Sequence, residues 1–243
     1  MNRELPRLEV CLSPALLHLF DTEGSVVVII DVFRATSTIA AALYNNAKSV
    51  WPVATVEECI EIGNKVENSI TAGERNGKVV EGLQHGNSPS EYSREFVEGK
   101  TLVLTTTNGT RLLHMVKGAS AIITGSFLNL SAVSEFLLQQ NKNVLLACAA
   151  WKDRFNLEDA LFAGAVIDKV KDSFYMNCDS AKAAVTLYNS LNGVKPIDFL
   201  RDSSHYRRLS AYGLESDMEY CASIDLHPVV PYLKDNQLVI YKD

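Results

Sequence analysis

The chain has 243 residues, 23 of them basic and 29 acidic, for a formal net charge of −6. With 47% hydrophobic and 8% aromatic residues, the balance is globular and excludes a disordered tail, a collagen-like repeat and a low-complexity segment. The negative charge argues against a nucleic-acid partner, which selects broad basic patches, but leaves room for a small anion held by a few local arginines.

Taken in chain order, short apolar runs alternate with segments of helical period. Residues 8–12 read as a strand, and Ser13-Pro14 opens a helix with serine as N-cap and proline at the first helical position. Residues 26–30 (Val-Val-Val-Ile-Ile) are β-branched and apolar on both faces, as in a central parallel strand. A helix carrying Ile39, Ala40, Ala42 and Leu43 follows. Residues 50–53 form the next strand, and Thr55-Val56-Glu57-Glu58 is a capping box at the head of another helix. Further strands are expected at 70–72, 102–105, 121–124 and 144–147, with helices at 110–116, 129–139, 157–169 and 181–191. The last third is helical to about Ala222, then closes with strands at 229–233 and 238–241. This order predicts an α/β fold, three-layer α/β/α, with a mostly parallel sheet. No linker divides the chain, so residues 1–243 read as a single catalytic unit. One echo stands out: strand 26–30 leads into Asp31, Arg34 and Thr36, and strand 102–104 leads into Thr107, Asn108 and Arg111. It is either an old duplication or the ordinary look of two βα units.

The longest apolar run, residues 144–151, is eight residues, far below the ~18 of a membrane-spanning helix. The N-terminal segment has Glu4 and Pro6 where a signal peptide would be apolar. Cys11, Cys59, Cys148, Cys178 and Cys221 are scattered and never in a CxxC pair, which is neither a disulfide framework nor a zinc site. The expectation is a soluble cytoplasmic protein with no membrane partner; a homodimer is left open.

Chemistry-bearing residues cluster just after the strands, where open parallel sheets bind ligands. Asp31 ends a strand, either as a turn residue or as a functional carboxylate. Arg34 beside it favours the second, because a guanidinium fork suits an oxyanion, and Thr36 adds a hydroxyl at a helix start. Thr107-Asn108-Gly109-Thr110-Arg111 repeats that logic, although an Asn-Gly turn with threonine capping explains it too. Glu74-Arg75 is either a surface ion pair or part of the site. Glu158-Asp159 opens a helix, either complementing its dipole or offering hard oxygens to Mg²⁺. Arg34, Arg75 and Arg111 together place three cations at strand ends of an acidic protein, which points to an anion site. None of the five histidines has metal-ligand spacing, and only His85 falls in a candidate loop. Trp51 and Trp151 read as core or rim residues, and Cys148 as a small core residue.

No GxxxxGK[ST], GxG or GxSxG pattern is present, which removes the P-loop, the dinucleotide fingerprint and the nucleophile elbow. A haloacid-dehalogenase-type start fails too, because Phe33 stands where the second aspartate is required. Six segments in order do resemble a known series: Val28-Ile29-Ile30-Asp31-Val32-Phe33-Arg34-Ala35-Thr36, Ala72-Gly73-Glu74-Arg75, Gly86-Asn87-Ser88-Pro89-Ser90-Glu91, Thr106-Thr107-Asn108-Gly109-Thr110-Arg111, Gly125-Ser126-Phe127-Leu128-Asn129 and Glu158-Asp159-Ala160-Leu161-Phe162-Ala163-Gly164. They are similar to the motifs of the 2-phosphosulfolactate phosphatase (ComB) family, over roughly residues 25–235 and including Asp217 and Val230-Pro231. The chain departs from that pattern at Gln84, at Ala149-Ala150 and at Trp151-Lys152.

The resemblance implies two similar, intertwined α/β/α units and a Mg²⁺-dependent phosphatase. Such an enzyme hydrolyses 2-phospho-3-sulfolactate to 3-sulfolactate and phosphate, a step toward coenzyme M. On that basis Asp31, Arg34, Arg111 and Asp159 are expected to be catalytic. Thr36, Arg75, Asn87, Ser88, Thr107, Asn108, Gly109 and Thr110 are expected to bind the small anionic substrate, and Asp31, Glu158 and Asp159 to hold Mg²⁺. Asp31 is alternatively a nucleophile or base. The competing expectations are a phosphatase for another small phosphorylated hydroxy acid and a non-catalytic binder of anionic metabolites.

Overall fold

A computed structural model describes residues 5–75, 78–116, 118–176 and 178–242; residues 1–4 of the N-terminal segment lie outside the described residues. Ten strands form one sheet: β1 (Leu8–Cys11), β2 (Val26–Ile30), β3 (Ser49–Val53), β4 (Ser69–Arg75), β5 (Lys78–Val79), β6 (Thr101–Thr105), β7 (Ala121–Gly125), β8 (Val144–Cys148), β9 (Pro231–Lys234) and β10 (Gln237–Ile240). Ten α-helices accompany them: α1 (Ala35–Tyr44), α2 (Val56–Lys65), α3 (Arg94–Val97), α4 (Gly109–Met115), α5 (Leu130–Gln140), α6 (Leu157–Val170), α7 (Asp179–Asn189), α8 (Pro196–Leu200), α9 (Ser204–Ser210) and α10 (Glu215–Cys221).

The strand order is β1-β8-β2-β7-β9-β10-β3-β6-β4-β5. The sheet is two parallel blocks, β1-β8-β2-β7 and β3-β6-β4, joined through the antiparallel hairpin β9–β10. The hairpin meets β7 and β3 antiparallel, each at one register pair, Ile123 with Tyr232 and Val50 with Leu238. The strands of the sequence echo, β2 and β6, each sit between two parallel neighbours. Their loops are closed alike. Thr36 Oγ1 donates to the Asp31 carbonyl (2.9 Å) and accepts from its N–H (3.1 Å), and Thr110 Oγ1 does the same to Thr106 (3.0 and 3.3 Å).

Alternation along β2 makes the three layers. Val26, Val28 and Ile30 enter one apolar cluster with residues of α5, α6 and α7, while Val27 and Ile29 enter another with residues of α1 and α4. Since β2 is covered on both faces and fully buried, it reads as a continuous apolar run. Local signals behave as the sequence predicts in two places: Ser13 Oγ caps a turn by accepting from Ala15 N (3.3 Å), and Thr55 Oγ1 caps α2 by accepting from Glu58 N (3.1 Å). The turn after Ser13, however, is a six-residue 3-10 helix. Among the described residues no helix is long and apolar enough to cross a membrane.

Candidate active site

Loops after β2, β6 and β8 and the end of β4 meet α9 around one small cavity of about 50 Å³. Asp31, Phe33 and Arg34 come from the β2 loop, Glu74 from β4, Thr106, Thr107 and Asn108 from the β6 loop, and Trp151 from the β8 loop. Asn87 contributes from the segment ahead of a 3-10 turn at Pro89–Glu91, and His205, Arg208, Leu209 and Tyr212 form the remaining wall.

Two close side-chain pairs flank the cavity, Arg34 with Asp217 and His205 with Glu158. Arg34 Nη1 contacts Asp217 Oδ2 at 2.5 Å with both side chains buried, and Ser88 Oγ donates to Asp217 Oδ1 at 2.7 Å. Asp217, on α10, thus fixes the guanidinium from behind. Burial pushes the Asp31 carboxyl up from 3.8 to about 6; His205 pulls it back, and Glu74 and Glu158 push it further up. Glu158, on the first turn of α6, is fully buried, and its Oε1 lies 2.5 Å from His205 Nδ1. That contact leaves Nε2 as the ring nitrogen available to the cavity. Glu158 Oε2 and Asn87 Oδ1 are buried without a hydrogen-bond partner among the described residues.

Asp159 does something else. Its Oδ1 accepts from Val32 N (2.9 Å) and its Oδ2 from Ala150 N (3.2 Å), tying the β2 and β8 loops together. Burial first, then Glu158 and Asp31, hold its carboxyl well above the usual range, against the pull of those two N–H groups. The β8 loop is pinned further by Lys152 N donating to Asn108 Oδ1 (3.3 Å). It closes as a two-residue turn, with Trp151 and Arg154 exchanging both backbone hydrogen bonds at 2.9 Å and Lys152 and Asp153 at positive φ, the I′ arrangement that orients flanking residues firmly.

Of the residues expected from sequence, Asp31, Arg34, Asn87, Thr107 and Asn108 line this cavity. Ser88 acts through Asp217. Thr36 and Thr110 close their own loops, and Gly109 begins α4 directly over Asp31, where an added Cβ would lie 2.7 Å from Asp31 Oδ2. Arg75 and Arg111 stand apart. Arg75 donates to the Glu74 carbonyl (2.7 Å) and Thr105 Oγ1 (3.2 Å), and Arg111, half exposed, pairs with Asp153 at 3.1 Å. Together they line a shallow neighbouring hollow that shares Thr106 and Thr107 with the cavity. His85 packs on Phe96, ring centroids 4.5 Å apart, whereas His205 reaches the cavity. The missed wall residues 205, 208, 209 and 212 carry one sequence signal, helical spacing of a His, an Arg and two apolar residues on one face. Nothing marks that face as facing a cavity rather than core.

The hollow at these strand ends thus gathers carboxylate and guanidinium groups around one cavity. The profile of the family described as 2-phosphosulpholactate phosphatase matches residues 11–236. A relative from Thermotoga maritima is 43% identical over 218 residues, covering 90% of this chain and 93% of its own. One from Caldanaerobacter subterraneus subsp. tengcongensis is 40% identical, covering 88% and 90%. A Clostridium perfringens relative is 35% identical over 237 residues, covering 96% and 95%. All three are named "probable 2-phosphosulfolactate phosphatase". The chain belongs to the 2-phosphosulfolactate phosphatase family, whose members are phosphoric monoester hydrolases.

Proposed function

We propose that the protein is a Mg²⁺-dependent phosphatase that hydrolyses 2-phospho-3-sulfolactate to 3-sulfolactate and phosphate, in a coenzyme M-type sulfonate pathway in the cytoplasm. The observation that carries this reading is the meeting of Asp31 and Glu74 with Arg34 and Arg208 in one cavity. Cations alone would suit an anion-binding protein, but a buried Asp31 and a half-buried Glu74 beside them repel an anion unless a metal or a reacting proton intervenes.

The donor set fits Mg²⁺, which takes one or two carboxylates with phosphate oxygens and water. Asp31 carries a proton affinity raised by burial and by neighbouring carboxylates, which a divalent cation relieves. Among the described residues no three His, Cys, Asp or Glu side chains converge on one metal position, so Asp31 with Glu74 is the proposed protein share. When bound, the ion supplies charge neutralisation at the phosphoryl group.

The chain's own residues do the rest. Arg34, held by Asp217, offers its fork to phosphate oxygens, and a phosphoryl transition state needs positioning and neutralisation above all. Asn87 brings an amide with an unused acceptor, and Thr107 and Asn108 order the cavity edge. Water attacks phosphorus as the ester P–O bond breaks, and a doubly protonated His205, its Nδ1–H held by Glu158, gives its Nε2 proton to the departing alkoxide. The test is phosphate release from a panel of phosphorylated 2-hydroxy acids with and without Mg²⁺. Metal-dependent turnover fastest on the sulfonated acid is expected. Turnover fastest on another member would move the substrate, and binding without turnover on every member would make the protein an anion binder.

A further inference from the structure

Of the two arginines lining the cavity, among the described residues only Arg34 has its guanidinium against a carboxylate. Arg208 is half-buried on α9, three residues after His205, so the two side chains share a helix face. Its guanidinium carbon stands 3.9 Å from the centre of the Trp151 ring. Its Nη2 is buried and has no hydrogen-bond partner among the described residues. Glu158 and Glu74 act on it through space, without a salt bridge to it. A buried N–H without an acceptor is costly, and an aromatic face satisfies the plane of the guanidinium but not its edge. The missing partner is an acceptor arriving from the cavity.

The geometry points to Arg208, held over the Trp151 ring, as the residue that reads the substrate's second anionic group, a carboxylate or sulfonate on the carbon skeleton, while Arg34 takes the phosphate. This rests on the phosphatase reading above and adds to it the residue that sets substrate choice. Three features support it. The platform is fixed before ligand arrives, because Trp151 sits at the base of the tight turn pinned by Asp159 and Asn108. Lys152 Nζ, 4.9 Å from the same ring, adds positive charge at that rim. A guanidinium is weakly hydrated and presents parallel N–H groups to a planar or tetrahedral oxyanion, so the site loses little on desolvation.

Three phosphate esters separate the possibilities: isopropyl phosphate with no second anion, 2-phospholactate with a carboxylate, and 2-phosphosulfolactate with both. For each, kcat/KM is measured with wild type, Arg208→Gln, and Arg208→Lys, which keeps the charge but not the flat fork. In Arg208→Gln the preference for an acidic ester over isopropyl phosphate should fall by about 30- to 100-fold, mainly through KM. Arg208→Lys should lose part of it. A fall confined to the sulfonated ester names the sulfonate, and a fall shared by both acids names the carboxylate. Equal loss on all three esters, or no loss on any, overturns the inference. Should wild type release no phosphate from any ester, the phosphatase reading fails by itself. The inference is then judged by calorimetric binding of 3-sulfolactate against inorganic phosphate, where Arg208→Gln must weaken the first at least tenfold more than the second.

Discussion

At Gly109 there is no space for a side chain: a Cβ would fall 2.7 Å from Asp31 Oδ2 and 2.9 Å from Ala35 Cβ. Ala35 Cβ cannot turn aside whereas the short Asp31 side chain can, so Gly109→Ala should displace the Asp31 carboxylate. A drop in kcat/KM of at least tenfold is expected, with about 1–3 kcal/mol of stability lost to overpacking; unchanged kinetics would mean that Asp31 tolerates movement. Asp31 also sets a pH dependence. Its folded value of about 6 lies above its ordinary 3.8, so the folded state binds the proton more tightly than the unfolded chain. Its contribution to metal-free stability is therefore full below about pH 4 and lost as pH rises through 6. Asp31→Asn should remove that slope and stabilise the metal-free protein at pH 7.5 by up to about 3 kcal/mol. Thermal melts across pH 4–8 decide it, and an unaltered slope would assign the titration elsewhere. Asp31, Arg34 and Asn108 were legible in sequence because each stands directly beyond an apolar strand. His205 and Arg208 were not, since the helix bearing them follows no strand and arrives from the C-terminal third. Asp159 was legible as functional but not in its geometry: its spacing suits a metal as well as it suits the two backbone N–H groups it accepts.

Helix α6 shows how an element positions chemistry it does not perform. Its first turn carries Glu158 and Asp159, and its middle crosses α7 so closely that a Cβ on Gly164 would lie 2.1 Å from the Ala184 carbonyl oxygen. The obstacle is backbone, which cannot rotate away. Gly164→Ala should push α7 outward and cost about 1–3 kcal/mol, read as a lower denaturation midpoint at unchanged m-value. Stability equal to wild type would show that the crossing is looser than drawn. The strands and longer helices were legible from β-branched runs and helical period, with ends shifted by up to three residues, the most at the end of β4. Strand β5 was not: Lys78–Val79 is an exposed two-residue pairing with β4, too short to leave a periodic trace. Nor did residues 229–241 reveal that their hairpin lies between the two parallel blocks, since short strands of this kind read the same at an edge as in the middle.

On the scale of the whole molecule, three antiparallel pairings separate the parallel blocks, so β3, β6 and β4 run opposite to β2. Even so, the loops beyond β2 and β6 meet at one cavity instead of lying at opposite edges. Alternating β and α segments made the α/β class legible, but the meeting of the blocks depends on strand order, which no local pattern carries. The cavity therefore draws its parts from both blocks: Asp31, Arg34 and Trp151 from one, Glu74 and Thr107 from the other. That shared construction is the central claim, and it is tested most directly by steady-state phosphate release from 2-phosphosulfolactate by wild type and by Asp31→Asn, at saturating Mg²⁺ and pH 7.5. Wild-type turnover with at least a 1,000-fold loss in a folded Asp31→Asn protein, of the order lost when a group acting in the transition state is removed, is the predicted result; an Asp31→Asn protein that turns over within tenfold of wild type would contradict it.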